Sequence, residues 1–245
     1  MKRIMMIGVL VLMVGQAYAA TSPYDILVYD DNTNFHRSQA AVASLGWTCT
    51  VANAGSFNTL LTSGSWDCVV MDCPNYGPTE GWAPFINYIA GGGRAVMSFW
   101  DLDNDGGGGD PGLPPAFGVA VTQTFWDPQP VYRWDYTNPI FNVPNYVMDL
   151  TGLNDSGWID NGDELAPAGA VPVAGFSMMQ DMSRCAILIG NSGRTIYNGF
   201  LFDDINDPMA TALIANEIYN VTPEPATLCL LGAGAVGMLL RKRRK

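Results

Sequence analysis

Between Ala20 and Val221 this chain has no lysine. Its basic residues there are Arg37, Arg94, Arg133, Arg184 and Arg194, set against 22 acidic side chains, so the stretch carries a formal charge of −17. Such a surface repels nucleic acid and anionic lipid, which argues against nucleic-acid partners. It suits cations, or plain solubility in an exposed compartment. Histidine is scarcer still: His36 is the only one in 245 residues. The same stretch holds Cys49, Cys68, Cys73 and Cys185 without any CxxC pairing, so a zinc site is not expected. Cys68 and Cys73 bracket one apolar run. As an extended strand it separates them by about 16 Å, too far for a disulfide. Bonds from Cys49 to Cys68 or Cys73, and buried free thiols, both stay open. Long hydrophobic runs are missing too. Ile4 to Val14 and Ala226 to Leu240 are each shorter than the ~20 residues of a comfortable membrane span.

Both short runs lie inside recognisable signals. Met1 to Ala19 reads as a secretory signal peptide: Lys2 and Arg3 precede the apolar core, and Ala17-Tyr18-Ala19 supplies the small-x-small cleavage pattern. An uncleaved anchor is disfavoured by the length of that core. At the other end, Pro223-Glu224-Pro225 precedes the apolar segment 226–240, and Arg241 to Lys245 are all basic. The expected organisation is therefore a signal peptide at 1–19, one domain at 20–221 and a tail at 222–245. About 200 residues are enough for one α/β domain with a sizeable core.

The centre of that domain is Cys68 to Asp110. Val69 to Met71 form a buried strand. Trp82, Phe85, Ile86 and Ile89 recur at helical spacing, and Gly91 to Gly93 end the helix. Ala95 to Phe99 is the next strand. Upstream, Asp25 to Tyr29 and Trp47 to Val51 read as strands. Between them runs a helix from Phe35 to Leu45, capped by Thr33 or Asn34, and Ser56 caps a short helix beyond. Strands alternating with helices predict βαβ units and a doubly wound, mainly parallel, flavodoxin-like sheet. Residues 106–182 are dense in Gly, Pro, Asn and Asp and read as a loop-rich insertion. Short strands are expected there around Val121 to Phe125 and Val131 to Trp134. Its aromatics, Trp126, Tyr132, Trp134, Tyr136, Phe141, Tyr146 and Trp158, argue for order. They either form a satellite core or stack on sugars. Cys185 to Ile189 and Arg194 to Phe202 read as a hairpin. A last helix follows, with Asp207 as cap and Pro208 in its first turn.

Sites in open α/β sheets lie beyond the carboxyl ends of the strands. Here those ends carry Asp72 and Cys73, then Trp100 and Asp101. Asp72 and Asp101 on neighbouring strands are candidates for a hydrolytic carboxylate pair. Cys73 is a candidate nucleophile, though DCPNYG lacks the small-x-nucleophile-x-small context and its base would have to be His36. Asp101, Asp103, Asp105 and Gly106 match the first half of a calcium loop, with Asp110 a late ligand. Gly112 stands where the bidentate Glu belongs.

The tail, with Pro-Glu-Pro, an apolar segment and a basic end in that order, closely resembles the PEP-CTERM sorting signal recognised by exosortases. That resemblance implies export, a transient C-terminal anchor, cleavage and a place at the cell surface or in extracellular polymer. A plain membrane anchor is the alternative. The body resembles the class I glutamine amidotransferase-like fold through GGGRAVMSF, the Asn138 to Asn142 stretch and the strand from Gly193 to Phe200. The resemblance implies a nucleophilic cysteine on an elbow after the central strand, and a histidine near the last one. This chain reads Phe99-Trp100-Asp101 and Phe202-Asp203-Asp204 at those places. The expectation is a non-catalytic structural or binding component, with extracellular polysaccharide as a partner. The alternative is a glycan or amide hydrolase using the strand-end carboxylates, with or without a metal.

Overall fold

The computed structural model describes residues 22–222, except 32, 103, 105, 155, 156 and 158–160. The signal peptide, the sorting tail, Asp103, Asp105 and Trp158 thus lie outside the described residues. Five strands form the parallel half of one sheet. They are β1 (Ile26–Asp30), β2 (Cys49–Ala52), β3 (Cys68–Cys73), β4 (Ala95–Phe99) and, far along the chain, β10 (Thr195–Asn198). Their order is β2-β1-β3-β4-β10, with every neighbouring pair parallel. The helices between them are α1 (Arg37–Ser44), α2 (Phe57–Ser63) and α3 (Ala83–Ala90), and α5 (Met209–Val221) closes the domain.

The strands are apolar on both sides because both faces are covered. Ile26, Val28, Cys68, Val70 and Val96 face α1 and α5, where Ala41, Val42, Leu213 and Ile214 meet them. Leu27, Tyr29, Val69, Met71 and Met97 face the other layer. There an aromatic series crosses the sheet. Tyr29 meets Phe57 at 5.4 Å, Phe57 meets Phe85 at 6.0 Å, Phe85 meets Phe117 at 6.2 Å and Phe117 meets Tyr197 at 5.4 Å. Each tilted or edge-on pair adds about 0.5–1.5 kcal/mol beyond the area it buries. Cys68 and Cys73 fall on opposite faces of β3, and all four described cysteines are free thiols.

The segment read as a loop-rich insertion is more regular than its composition suggests. It contains α4 (Leu113–Phe117), β5 (Val119–Phe125), β6 (Tyr132–Arg133), β7 (Gly162–Pro167) and β8 (Val171–Gly175). With β9 (Cys185–Gly190), these continue the sheet as its antiparallel half, in the order β10-β9-β7-β5, with β8 also on β9 and β6 on β8. The polar sequence of β7 hid it. Asp163 is fully buried, yet it accepts from the Leu102 N–H and the Thr124 hydroxyl, each at 3.1 Å. Glu164 lies 2.7 Å from the Arg184 guanidinium.

Several caps differ from expectation. The α1 cap is His36 rather than Thr33 or Asn34, because the Thr33 hydroxyl turns back to Asp30. Ser56 does sit at the α2 cap, but its Oγ accepts from Asn53 N instead of a helix amide. The α5 cap is Pro208, while Asp207 takes the Thr211 hydroxyl at 2.7 Å. In the glycine turn after α3 it is Gly92, at φ 97°, that adopts the left-handed conformation.

Candidate functional site

The carboxyl ends of β1 and β3 place Asp30 and Asp72 side by side in register. The short helical turn after β10 brings Asp203 to the same corner, and the start of α1 closes it with His36, Ser38 and Gln39. Asp72 is 2% exposed and accepts from the Ser38 hydroxyl at 2.8 Å. Burial, and after it the nearby Asp203, raise its pKa to about 8 against the opposing hydrogen bond from Ser38. At neutral pH it is mostly the acid form. Asp203 accepts from Asn34 N at 2.8 Å. Asp30 is the most crowded acceptor. Thr33 Oγ1 donates to its Oδ1, Gln39 Nε2 donates to Oδ2 at 2.6 Å, and His36 Nδ1 lies 3.0 Å from Oδ1.

His36 itself sits at φ 50°, ψ 40°, the left-handed region that costs a residue with a Cβ about 1–2 kcal/mol. That backbone aims the imidazole at Asp30, and the ring remains 63% exposed. The hydrogen bond and charge of Asp30 raise its pKa. Beneath it Arg37 is buried, with its guanidinium donating to the carbonyls of Phe202 and Ile205. Arg37 thereby locks the start of α1 to the turn that carries Asp203. His36 lies in no motif, so only the role of a remote base for Cys73 was open to it. The signal that would have found it is its spacing, six residues after a strand-end aspartate, at the mouth of the first βα turn.

The residues singled out from sequence are not all brought together. Asp72 belongs to this corner, but its charged neighbours are Asp203 and Asp30. Asp101 turns into its own loop. It is fully buried and accepts from the amides of Gly106 at 3.0 Å, Gly108 at 2.5 Å and Gly109 at 2.9 Å. The loop folds so tightly that a Cβ on Gly109 would lie 1.9 Å from the Asp101 carbonyl. Both Asp101 oxygens are therefore committed to backbone. Asp110 Oδ1 accepts from Gly112 N at 2.7 Å, and the remaining expected calcium donors, Asp103 and Asp105, are outside the described residues. Among the described residues no group of three or more His, Cys, Asp or Glu is placed to hold a metal.

Cys73 is buried, donates to the Tyr76 carbonyl at 3.3 Å, and burial with the Asp72 charge pushes its thiol well above the ordinary range. A thiol in that state is a poor nucleophile. Past the end of β4, Trp100 donates through its indole N–H to the Asn75 carbonyl at 2.5 Å. The insertion's aromatics divide. Phe141 is buried, whereas Trp126, Tyr136 and Tyr146 are about 60% exposed. The Arg133 guanidinium lies 4.8 Å from the Tyr136 ring and 5.5 Å from that of Tyr146, and is pinned by Asp149 at 2.9 Å.

Comparison with known proteins matches two parts of the chain. Residues 221–245 match the PEP-CTERM protein-sorting motif. The motif marks the chain for export, for C-terminal anchoring before cleavage and for processing by an exosortase. Among the described residues no helix is long and apolar enough to cross a membrane. The body resembles a ThuA-like protein from Bacteroides uniformis, with TM-score 0.56, 14% identity, and coverage of 87% of this chain and 97% of that one. A GMP synthase subunit from Thermoplasma acidophilum gives 0.53 and 12%, covering 81% and 94%. A β-galactosidase from Bacillus circulans sp. alkalophilus gives 0.53 and 13%, where 83% of this chain matches only 32% of the enzyme. These likenesses establish the glutamine amidotransferase-like α/β fold. No curated protein matches the chain in sequence.

Proposed function

We propose that this exported, exosortase-processed chain is a non-catalytic binding component of the cell surface or extracellular polymer, with extracellular polysaccharide as its partner. Its working part is the domain 20–221, freed of the signal after Ala19 and of the tail from about residue 222. The observation that carries this reading is the filling of the nucleophile seat. Where the fold's active members have a cysteine, Trp100 and Asp101 stand, and both polar groups are tied to backbone partners. The nearby thiol, Cys73, is buried and protonated. For binding, exposed Trp126, Tyr136 and Tyr146 offer faces on which sugar rings stack, and Arg133 stiffens two of them.

One observation favours a second reading, a hydrolase of glycans or amides. His36 is oriented by Asp30, as a general base is by its carboxylate, beside the neutral acid Asp72. Incubating the native protein with the host's own extracellular polysaccharide separates the two. The binding reading expects co-sedimentation with polymer of unchanged length, weakened by Tyr136→Ala with Tyr146→Ala. Shortening of the polymer that is lost in His36→Ala would instead establish the hydrolase.

A further inference from the structure

The turn between β8 and β9 displays three methionines to solvent. Met178 is 77% exposed, Met179 83% and Met182 49%. Leaving apolar side chains in water gives no folding stability, so their presence needs another account. Their side chains line one shallow concavity of about 570 Å³, together with Ser177, Gln180 and Asp181.

The backbone that carries them is held at several points. Phe176 N donates to the Arg184 carbonyl at 3.0 Å, closing the turn, and Arg184 N donates to the Asp181 carbonyl at 2.9 Å. Ser177 Oγ donates to the Met179 carbonyl at 2.6 Å, and the Trp134 indole donates to the Ser177 carbonyl at 2.8 Å. The turn is thus a braced frame with exposed thioether arms, and a braced frame lowers the ordering cost of binding a ligand.

We propose that Met178, Met179 and Met182 form a thioether site for a soft monovalent metal ion, Cu(I) in biology and Ag(I) as its analogue. Thioether sulfur is a soft, neutral donor that prefers such ions and ignores calcium or magnesium. Nitrogen donors that would favour Cu(II) are missing, since the chain's one histidine belongs to the corner at Asp30. The charge is matched from beside the site. Asp181 accepts from the N–H and hydroxyl of Ser183 at 3.0 and 2.8 Å, which fixes its carboxyl group beside the site. Cys185 lies under the turn and donates its S–H to the Met182 carbonyl at 3.5 Å. Cys185 is fully buried, so the exposed thioethers are the accessible sulfurs.

Native mass spectrometry of the protein purified from its host, titrated with Ag(I) after alkylation of accessible thiols, tests this. We expect one ion per chain. In Met179→Leu with Met182→Leu, substitutions on an exposed turn that leave the melting temperature within a degree or two, affinity should fall at least tenfold. Mild peroxide, which converts the thioethers to sulfoxides, should abolish binding in the parent. Absence of a bound ion, or equal affinity in parent and variant, overturns the proposal.

Discussion

Asn198 on β10 donates its side-chain N–H to Glu217 on α5 at 3.0 Å, and both residues are wholly buried. Asn198 Oδ1 and Glu217 Oε1 have no other partner among the described residues. A protonated Glu217 can return a hydrogen to the Asn198 carbonyl and close a two-bond acid–amide pair. An ionised one cannot. Burial raises Glu217 to about 8, so the folded chain holds it as the acid.

Stability should therefore depend on pH with a definite sign. Glu217 and Asp72 both have folded pKa values of about 8, far above the values of 4.5 and 3.8 that apply when unfolded. Their contribution is complete below those lower values and is lost as pH rises through 8. Each site adds a slope of up to about 1.4 kcal/mol per pH unit within that window. Chemical denaturation from pH 4.5 to 8 should show a progressive fall in the parent. Glu217→Gln should remove about half of that slope and leave the part due to Asp72. A parent curve with no slope, or one that rises, contradicts the burial of these acids as neutral groups.

His36 gives a second titration, free of overlap because the chain has one histidine. The hydrogen bond to Asp30 raises it, so imidazole NMR shifts should report a pKa above 6.5. In Asp30→Asn it should return towards that value. An unshifted His36 in the parent would remove the Asp30–His36 pair from the description of the corner.

Asp101 makes a prediction that separates loop architecture from cation binding. Asp101→Ala leaves the amides of Gly106, Gly108 and Gly109 without their acceptor. Gly106 is exposed and Gly108 and Gly109 are half-buried, so water replaces part of what is lost and the cost should be about 1–3 kcal/mol in all. It should appear equally with and without calcium. If millimolar calcium raises the melting temperature, the rise should depend on Asp103 and Asp105, and Asp103→Asn should reduce it. A calcium response that vanishes only in Asp101→Ala would mean that Asp101 is a ligand after all.

The proposed non-catalytic role predicts chemistry that does not happen. The protein should release no ammonia from glutamine, and Cys73→Ser should leave that baseline where it is. Cys73 should also resist iodoacetamide in the native state, whereas half-exposed Cys49 reacts first. Ammonia release lost in Cys73→Ser would reinstate it as a nucleophile.

The parallel half of the sheet was legible because its signals are local. Val69 to Met71 and Ala95 to Phe99 are short apolar runs punctuated by glycines, and their burial on both faces follows from α helices on either side. The antiparallel half was legible only in part: strands were expected near β5, β6 and β9, whereas β7 was hidden because it contains Asp163 and Glu164. Their burial makes sense only once Thr124, Leu102 and Arg184 stand opposite. Asp72 was legible as a strand-end carboxylate. Its neighbours Asp203 and His36 were not, since 131 and 36 residues separate them from it in the chain and β10 joins the sheet beside β4 only through a long return. The backbone role of Asp101 was not legible, because a DxDxDG run looks alike whether its carboxylates face a cation or accept from their own backbone, as Asp101 does.

The proposed role requires the chain to leave the inner membrane. Pro223-Glu224-Pro225 precedes the apolar segment 226–240, which as a helix spans about 22 Å at ~1.5 Å per residue, against a hydrocarbon core of ~30 Å. Arg241 to Lys245 should stay on the cytoplasmic side, which leaves the prolines at the outer face for cleavage. The intact mass of the native protein, taken with its cell fraction, tests this most directly. The account predicts a species beginning near Ala20, ending between Thr222 and Pro225, and recovered outside the inner membrane. A species still carrying Arg241 to Lys245 and fractionating with the inner membrane would contradict it.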